Sequence, residues 1–409
     1  MTDQHKTSHI ATELIHHSYT PPAEFEAPQP GIFKASTVFF PNVAAMRQRE
    51  WKDKSAYTYG THGTPSTFTL EERLCTLEGG KHCVLTPSGL SALAVAAFAV
   101  LKTGDHVLLP DNSYGPNKVL AEGELTSFGI SHTYYDAMNP QDLAAKIQAN
   151  TKLVWLEAPG SVSMEFPDLI QLVSVCKSHA VVTALDNTWG AGLAFKPFDL
   201  LGDGSLSVDL TAHALTKYPS GGGDVLMGSV MTCDDSLSLK LKLTMMRLGI
   251  CVGANDVETV LRSLPTISLR YAAQDRTARH LANWWQHQSV CVQVMHPALA
   301  DAPGHAHWQA LCAPGGDQGL AAGLFSVMLS PELSQSQVDA FCDSLKLFRI
   351  GYSWGGPVSL VVPYNIASMR SNWPSHLKPG HLVRFSSGFE SLDDLVADLQ
   401  QAVAACLNI

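Results

Sequence analysis

Charged side chains are scarce in this chain, at 16% of 409 residues, and no long basic run occurs. With a net charge of −10, nucleic acid is excluded as an expected partner. The nine cysteines form an odd, scattered set without a CxxC pair, so neither a disulfide framework nor a zinc site is expected, and a reducing cytoplasm fits. The opening residues, MTDQHKTSHIATELIHH, lack the apolar core of a signal peptide. The longest apolar run, LSALAVAAFAVL from Leu90, is too short to span a membrane, so no membrane partner is expected. Internal repeats and low-complexity tracts are missing too. What is present is a 45% hydrophobic content and enough length for two or three domains with a large core, some of it buried between subunits.

Residues 1–60 carry several prolines and little periodicity, and read as an extended arm. From residue 81 the pattern alternates. KHCVLTPS, DHVLLPD, SHTYYD, TKLVWLEAP and VVTALDN read as strands. GLSALAVAAFAVLK, PNKVLAEGELTSFG, NPQDLAAKIQAN and PDLIQLVSVCKSHA between them read as helices. Apolar strands alternating with helices predict an α/β fold with a mainly parallel sheet covered on both faces. A long helix around RYAAQDRTARHLANWW then leads into a smaller C-terminal α+β domain. The expected division is an arm over 1–60, a large domain over 61–255 and the C-terminal domain over 256–409.

In open α/β sheets, ligands bind beyond the carboxyl ends of the strands. Ser88-Gly89, Tyr114, Gly160-Ser161, Asp186-Asn187 and Lys217 all fall just after an expected strand. Lys217 lies in LTKYPSGGG, with its glycines after the lysine. That order is the reverse of a nucleotide-binding loop, and Pro219 would break a helix starting there. Two readings stay open for Lys217 alone: a surface lysine beside a turn, or an amine held for Schiff-base chemistry.

Pyridoxal phosphate (PLP) requires such a lysine, an anion at the ring nitrogen, a ring stacker and a phosphate cup. Asp186 is the candidate anion, or else it caps a turn. Tyr114 is the candidate stacker, or else a half-buried loop tyrosine. Ser88, Gly89 and Leu90 open a helix whose N–H groups suit a phosphate, though a serine cap would look the same without one. Thr216 can add a hydroxyl.

LEAPGSVSMEF, DNTWGAG, LTKYPSGG, YSWGG and LVRFSSGFESLDDL together resemble the Cys/Met-metabolism family of PLP-dependent enzymes, from about residue 35 onward. The resemblance implies a fold type I, PLP-dependent transferase-like large domain with pyridoxal 5'-phosphate as cofactor. Lys217 would form the Schiff base and act in catalysis with Tyr114. Asp186 would meet the pyridine nitrogen. The implied substrate is a small amino acid, with Arg384 taking its α-carboxylate through a bidentate fork, Ser353 assisting and Trp354 forming a wall. From sequence alone, Arg384 in a strand ion pair and Trp354 in core packing remain alternatives.

Trp354 in YSWGG, together with DNTWGAG and PGSVSME, points within the family to the β-lyase branch. That branch implies β-elimination of L-cystathionine to homocysteine, pyruvate and ammonia, a step of methionine biosynthesis. A γ-lyase or γ-synthase, a broad cysteine-S-conjugate β-lyase and a non-catalytic PLP-binding protein are the alternatives. The family also implies a cytoplasmic homotetramer, a dimer of dimers with sites shared across an interface. There Tyr59 would reach a neighbour's cofactor and substrate. Thr61 stands where an arginine for the cofactor phosphate is expected, with His62 beside it as a substitute charge. Ala214 stands where relatives carry a serine.

Overall fold

The computed structural model describes residues 27–407 apart from 317 and 371, together with Thr12, Ile15, His16 and Tyr19. Most of the expected arm before residue 27 therefore lies outside the described residues. The chain divides into two units, Met1–Gly31 and Ile32–Ile409. In the first, the His16 N–H donates to the Thr12 carbonyl at 2.9 Å, and residues 27–31 are irregular. The second unit carries the rest of the fold.

It begins with irregular, mostly exposed chain broken by the short helix α1 (Val43–Arg47). Helix α2 (Pro65–Glu78) follows, opened by reciprocal hydrogen bonds between Thr64 and Thr67 and closed by Gly79 at φ +87°. Alternation then sets in: β1 (His82–Thr86), α3 (Gly89–Val100), β2 (His106–Pro110), α4 (Gly115–Leu120), β3 (Ser131–Tyr135), α5 (Pro140–Lys146), β4 (Thr151–Glu157), α6 (Leu169–Ser178) and β5 (Val182–Asp186). Strands β6 (Leu210–Ala214) and β7 (Gly228–Thr232) complete a seven-stranded sheet of order β1-β7-β6-β5-β4-β2-β3.

From β3 through β6 every pairing is parallel. Strand β7 runs antiparallel to both β6 and β1, which places the first strand at an antiparallel edge. The expected helix over 116–129 changes pitch, because a π-helical turn at Ala121–Leu125 interrupts it. There the Thr126 hydroxyl donates to the Ala121 carbonyl at 2.8 Å, five residues back.

The two faces of this sheet are both buried. Val107 and Leu109 of β2, with Leu153, Trp155, Ala184 and Ala212, pack under α3 and α7 (Asp235–Leu248). Leu108, Val154, Leu156 and Leu185 face the other way, against Leu70 and Leu74 of α2 and Leu172 and Val173 of α6. Burial on both faces is what turns these strands into unbroken apolar runs.

Helices α8 (Ala254–Ser263) and α9 (Ile267–Gln286) lead to a second sheet, with α10 (His305–Cys312), α11 (Gln335–Ser344) and α12 (Leu392–Cys406) around it. Its strands are β8 (Cys291–Met295), β9 (Leu324–Leu329), β10 (Arg349–Ile350), β11 (Leu360–Tyr364) and β12 (His381–Ser386), in the order β10-β11-β12-β9-β8. Trp285, Phe325, Phe341 and Phe385 form its core, while Tyr271, Met328 and Leu382 extend the core of the larger sheet.

Candidate active site

The carboxyl ends of β2, β4, β5 and β6 converge, and each delivers one loop. The loop after β6 carries Lys217. Its backbone is locked: the Lys217 N–H donates to Ala214, and the Gly221 N–H donates to the Lys217 carbonyl at 2.9 Å. Gly221 sits at φ +66°, and a Cβ there would collide with the Arg270 guanidinium. That guanidinium donates to the Tyr218 carbonyl at 2.7 Å and braces the turn from outside. The glycines thus let the chain fold tightly behind the lysine rather than cradle a ligand.

Lys217 Nζ donates to Ser353 Oγ at 2.7 Å and lies 5.4 Å from the centre of the Trp354 ring. Burial, aided by the charge of Arg384, pulls its pKa down to about 8, while Asp186 opposes the fall. Ser353 holds a left-handed backbone at φ +100°, strained for a residue with a side chain. Trp354 packs against Tyr218 at 5.4 Å between ring centres, so it serves both as core and as a wall beside the amine.

Asp186 ends β5. Its Oδ1 accepts from the Thr188 hydroxyl at 2.6 Å and the Thr188 N–H at 3.1 Å. Thr188 in turn accepts the Ala214 N–H at 2.9 Å, which couples the carboxylate to the lysine strand. Burial raises the Asp186 pKa; the Thr188 bonds and the charges of His213 and Lys217 work against the rise.

Glu157, which sequence reasoning missed, ends β4 directly opposite Asp186 in the strand register. Burial first, and the Asp186 charge second, push its pKa well above the carboxylate range. Glu157 and Asp186 thus form a facing pair of acids in which burial raises both pKa values. Its Oε2 accepts the Tyr114 N–H at 2.8 Å, fixing the loop that presents the Tyr114 ring. The signal for it was present: LVWLE, like VVTALD, ends an apolar strand on one acid.

The Tyr114 loop is tied down from below as well. Glu165, fully buried, accepts from Asn112 at 2.9 Å, Ser163 at 2.6 Å and Arg370 at 2.5 Å, and also bonds His376. Burial opposes its charge, yet the His376 bond and the Arg370 cation outweigh burial and hold its pKa at about 2. These partners span more than two hundred residues of sequence, so no local pattern announces them.

Helix α3 supplies a cup. Ser88 Oγ accepts the Ser91 N–H at 3.0 Å, which leaves the Gly89 and Leu90 N–H groups without an intrahelical acceptor. A Cβ on Gly89 would stand 2.6 Å from Ala214 Cβ, so the two small residues let the helix end approach β6 closely. Thr216 Oγ1 faces Met227, 3.3 Å from both its N–H and its carbonyl. A cavity of about 760 Å³ opens beside this helix end, lined by Ser88, Leu90, Ser113, Val119 and Arg370 among others.

Arg384, on β12, is 7% exposed and forms no ion pair among the described residues. Its guanidinium makes one long contact to the Ser353 carbonyl, 3.5 Å, and lies 5.3 Å from the Tyr364 ring centre. The strand ion pair considered from sequence is therefore not formed. A buried cation without a counter-charge is costly unless a ligand supplies one.

The chain thus brings Lys217 against Ser353 and Trp354, with Asp186 and Arg384 near enough for their charges to act on both Lys217 and Tyr114, while the cavity at the helix end is lined by none of these six. Tyr59 and Thr61 are not brought there. Thr61 lines a separate small cavity of about 70 Å³ with Trp51, His62 and Phe68. Tyr59 is 47% exposed and edge-on to His62 at 6.4 Å. The His62 Nδ1 bonds Thr58 at 2.8 Å, and burial and the Arg49 charge lower its pKa. Burial and the Arg49 charge thus disfavour the charged form of His62, which weakens it as a substitute for the missing arginine.

The arrangement fits pyridoxal phosphate: a poised amine, a half-buried carboxylate, an aromatic face and free N–H groups at a positive helix end. The sequence matches the family of Cys/Met metabolism PLP-dependent enzymes over residues 11–404. It is 36% identical over 405 residues to a cystathionine beta-lyase of Bordetella avium, covering 97% of each chain. It is 34% identical over 391 residues to an L-alanine/L-glutamate racemase of Wolbachia pipientis, covering 93% of each. The fold superimposes with TM-score 0.81 and 28% identity on a cystathionine gamma synthase from Xanthomonas oryzae crystallised with cystathionine, over 93% of this chain and 94% of that one.

Proposed function

Because this chain belongs to the Cys/Met metabolism family of PLP-dependent enzymes, we propose that it cleaves the Cβ–S bond of L-cystathionine. With water consumed, the products are homocysteine, pyruvate and ammonia. The observation that carries this reading is Trp354, the residue that marks the β-lyase branch, standing 5.4 Å from the Lys217 amine.

When bound, the cofactor supplies an electron sink for the charge left on Cα. Lys217 would carry it, Asp186 would hold its ring nitrogen protonated, Tyr114 would cover its face, and Ser88, Gly89, Leu90 and Thr216 would receive its phosphate. Arg384 would clamp the α-carboxylate through two parallel N–H donors, which fixes Cα against the lysine. Lys217, whose pKa burial and the Arg384 charge lower to about 8, would take the Cα proton at Nζ in its neutral form. The Ser353 hydroxyl holds that nitrogen in place. Trp354 walls the space and keeps water from the amine.

Incubating the loaded protein with L-cystathionine tests the proposal. Homocysteine with pyruvate is expected; cysteine with 2-oxobutyrate would overturn it in favour of a γ-lyase. A second reading rests on the Wolbachia relative: the same Lys217 base, reprotonating Cα without a leaving group, would racemise alanine or glutamate. Chiral analysis of those two amino acids separates it.

We further propose a cytoplasmic homotetramer built from dimers, in which Tyr59 and Thr61 of one copy complete the other copy's site. Their separation from Lys217 within one chain supports this, as does the exposure of Tyr59. No helix among the described residues is long and apolar enough to cross a membrane. Thr61→Arg should then tighten cofactor binding about tenfold, the worth of one charge-assisted bond to phosphate. Titrating apoprotein with cofactor by fluorescence measures this. An unchanged dissociation constant would place Thr61 away from the phosphate.

A further inference from the structure

Strands β11 and β12 run antiparallel with Val362 opposite Arg384 and Tyr364 opposite Leu382. Tyr364 is therefore the diagonal, same-face neighbour of Arg384. The guanidinium carbon lies 5.3 Å from the Tyr364 ring centre, within cation–π range. Tyr352, 6.4 Å beyond Tyr364, extends this aromatic row outward and is 80% exposed.

The other restraint on Arg384 is weak, since its contact to the Ser353 carbonyl is 3.5 Å long. Between these two contacts the ring face, rather than a hydrogen bond, sets where the fork stands. A guanidinium seated over an aromatic face uses none of its N–H donors in that contact. The donors remain free for a carboxylate, and the fork is held without a competing anion.

We propose that Tyr364 is a positioning residue whose ring face holds Arg384 at the orientation that receives the substrate's α-carboxylate. The proposal rests on the reading of Arg384 as the carboxylate site. It assigns the work to the ring and none to the Tyr364 hydroxyl.

The experiment compares Tyr364→Phe, Tyr364→Leu and Arg384→Gln as loaded enzymes, each checked for fold by circular dichroism. Two quantities are read: KM and kcat for L-cystathionine, and the dissociation constant of glycine from the cofactor's absorbance. Glycine has no β-carbon, so it reports occupancy without elimination. Tyr364→Phe should leave both within about twofold, because the ring face is kept. Tyr364→Leu should raise KM and the glycine constant together by about tenfold, with kcat within about threefold. If Tyr364→Leu does not fold, Tyr364→Met removes the ring with a similar side-chain length and is read in the same way. An unchanged KM and glycine constant in the non-aromatic variant overturns the proposal, and so does a fall in kcat alone. If Arg384→Gln itself leaves KM unchanged, the carboxylate assignment fails instead.

Discussion

Replacing Lys217 by alanine lowers turnover of L-cystathionine by at least about four powers of ten, the upper range for loss of a positioned general base. The cofactor also leaves on dialysis, because its only covalent anchor is gone. Both effects come from one nitrogen, which in this chain is held by Ser353 at 2.7 Å and flanked by Trp354. The pH dependence follows from the same residue. Burial and Arg384 lower its pKa to about 8, so the neutral amine appears near pH 8 rather than above pH 10. Below about 8 the protonated amine cannot accept the Cα proton. The rate of the parent enzyme therefore rises with pH and levels above that value. Steady-state rates across pH for both proteins check this. Turnover in the purified alanine variant above one-hundredth of the parent's would remove Lys217 from its role.

Asp186→Asn lowers kcat/KM by about a thousandfold while leaving the fold intact, in the range expected when a preorganised charge is lost. The asparagine carbonyl accepts both Thr188 donors as the carboxylate does, so the bonds at 2.6 and 3.1 Å survive. Only the charge disappears. Its neighbour Glu157 stands on β4, where burial still disfavours the charged form and Oε2 is engaged by the Tyr114 N–H. The ring nitrogen then has no anion to hold its proton, and the electron sink weakens. Thermal denaturation together with kcat/KM separates the two contributions. A variant within tenfold of the parent at unchanged Tm would show that Asp186 is not the anion the cofactor needs.

Much of this site is legible in the sequence because its parts end strands. VVTALDN announces Asp186 through an apolar run that stops at an acid, and the glycines after Lys217 announce a turn. Helix α3 begins where Ser88 precedes an alanine-rich stretch, as capping and propensity require. Pattern gives the type of each element but not its neighbour. Thus β1 reads as one more parallel strand and does run in the sense of β6, yet β7, which arrives 142 residues after β1 ends, inserts between the two and runs antiparallel to both. The Glu165 cluster escapes for the same reason: Arg370 lies 205 residues away. Tyr364 escapes because its value lies in a diagonal relation across two strands. His62 looked like a spare charge in the sequence; burial and the Arg49 charge lower its pKa and disfavour that charge.

The backbone at Ser353 sets two selective pressures against each other. A side chain at φ +100° costs about 1–3 kcal/mol of folding free energy, and glycine would relieve most of it. Glycine would also delete the hydroxyl that Lys217 grips. Variants enriched for heat resistance alone will drift toward glycine at 353 and become stable, sluggish enzymes. Variants enriched for turnover will keep the serine and accept a lower melting point.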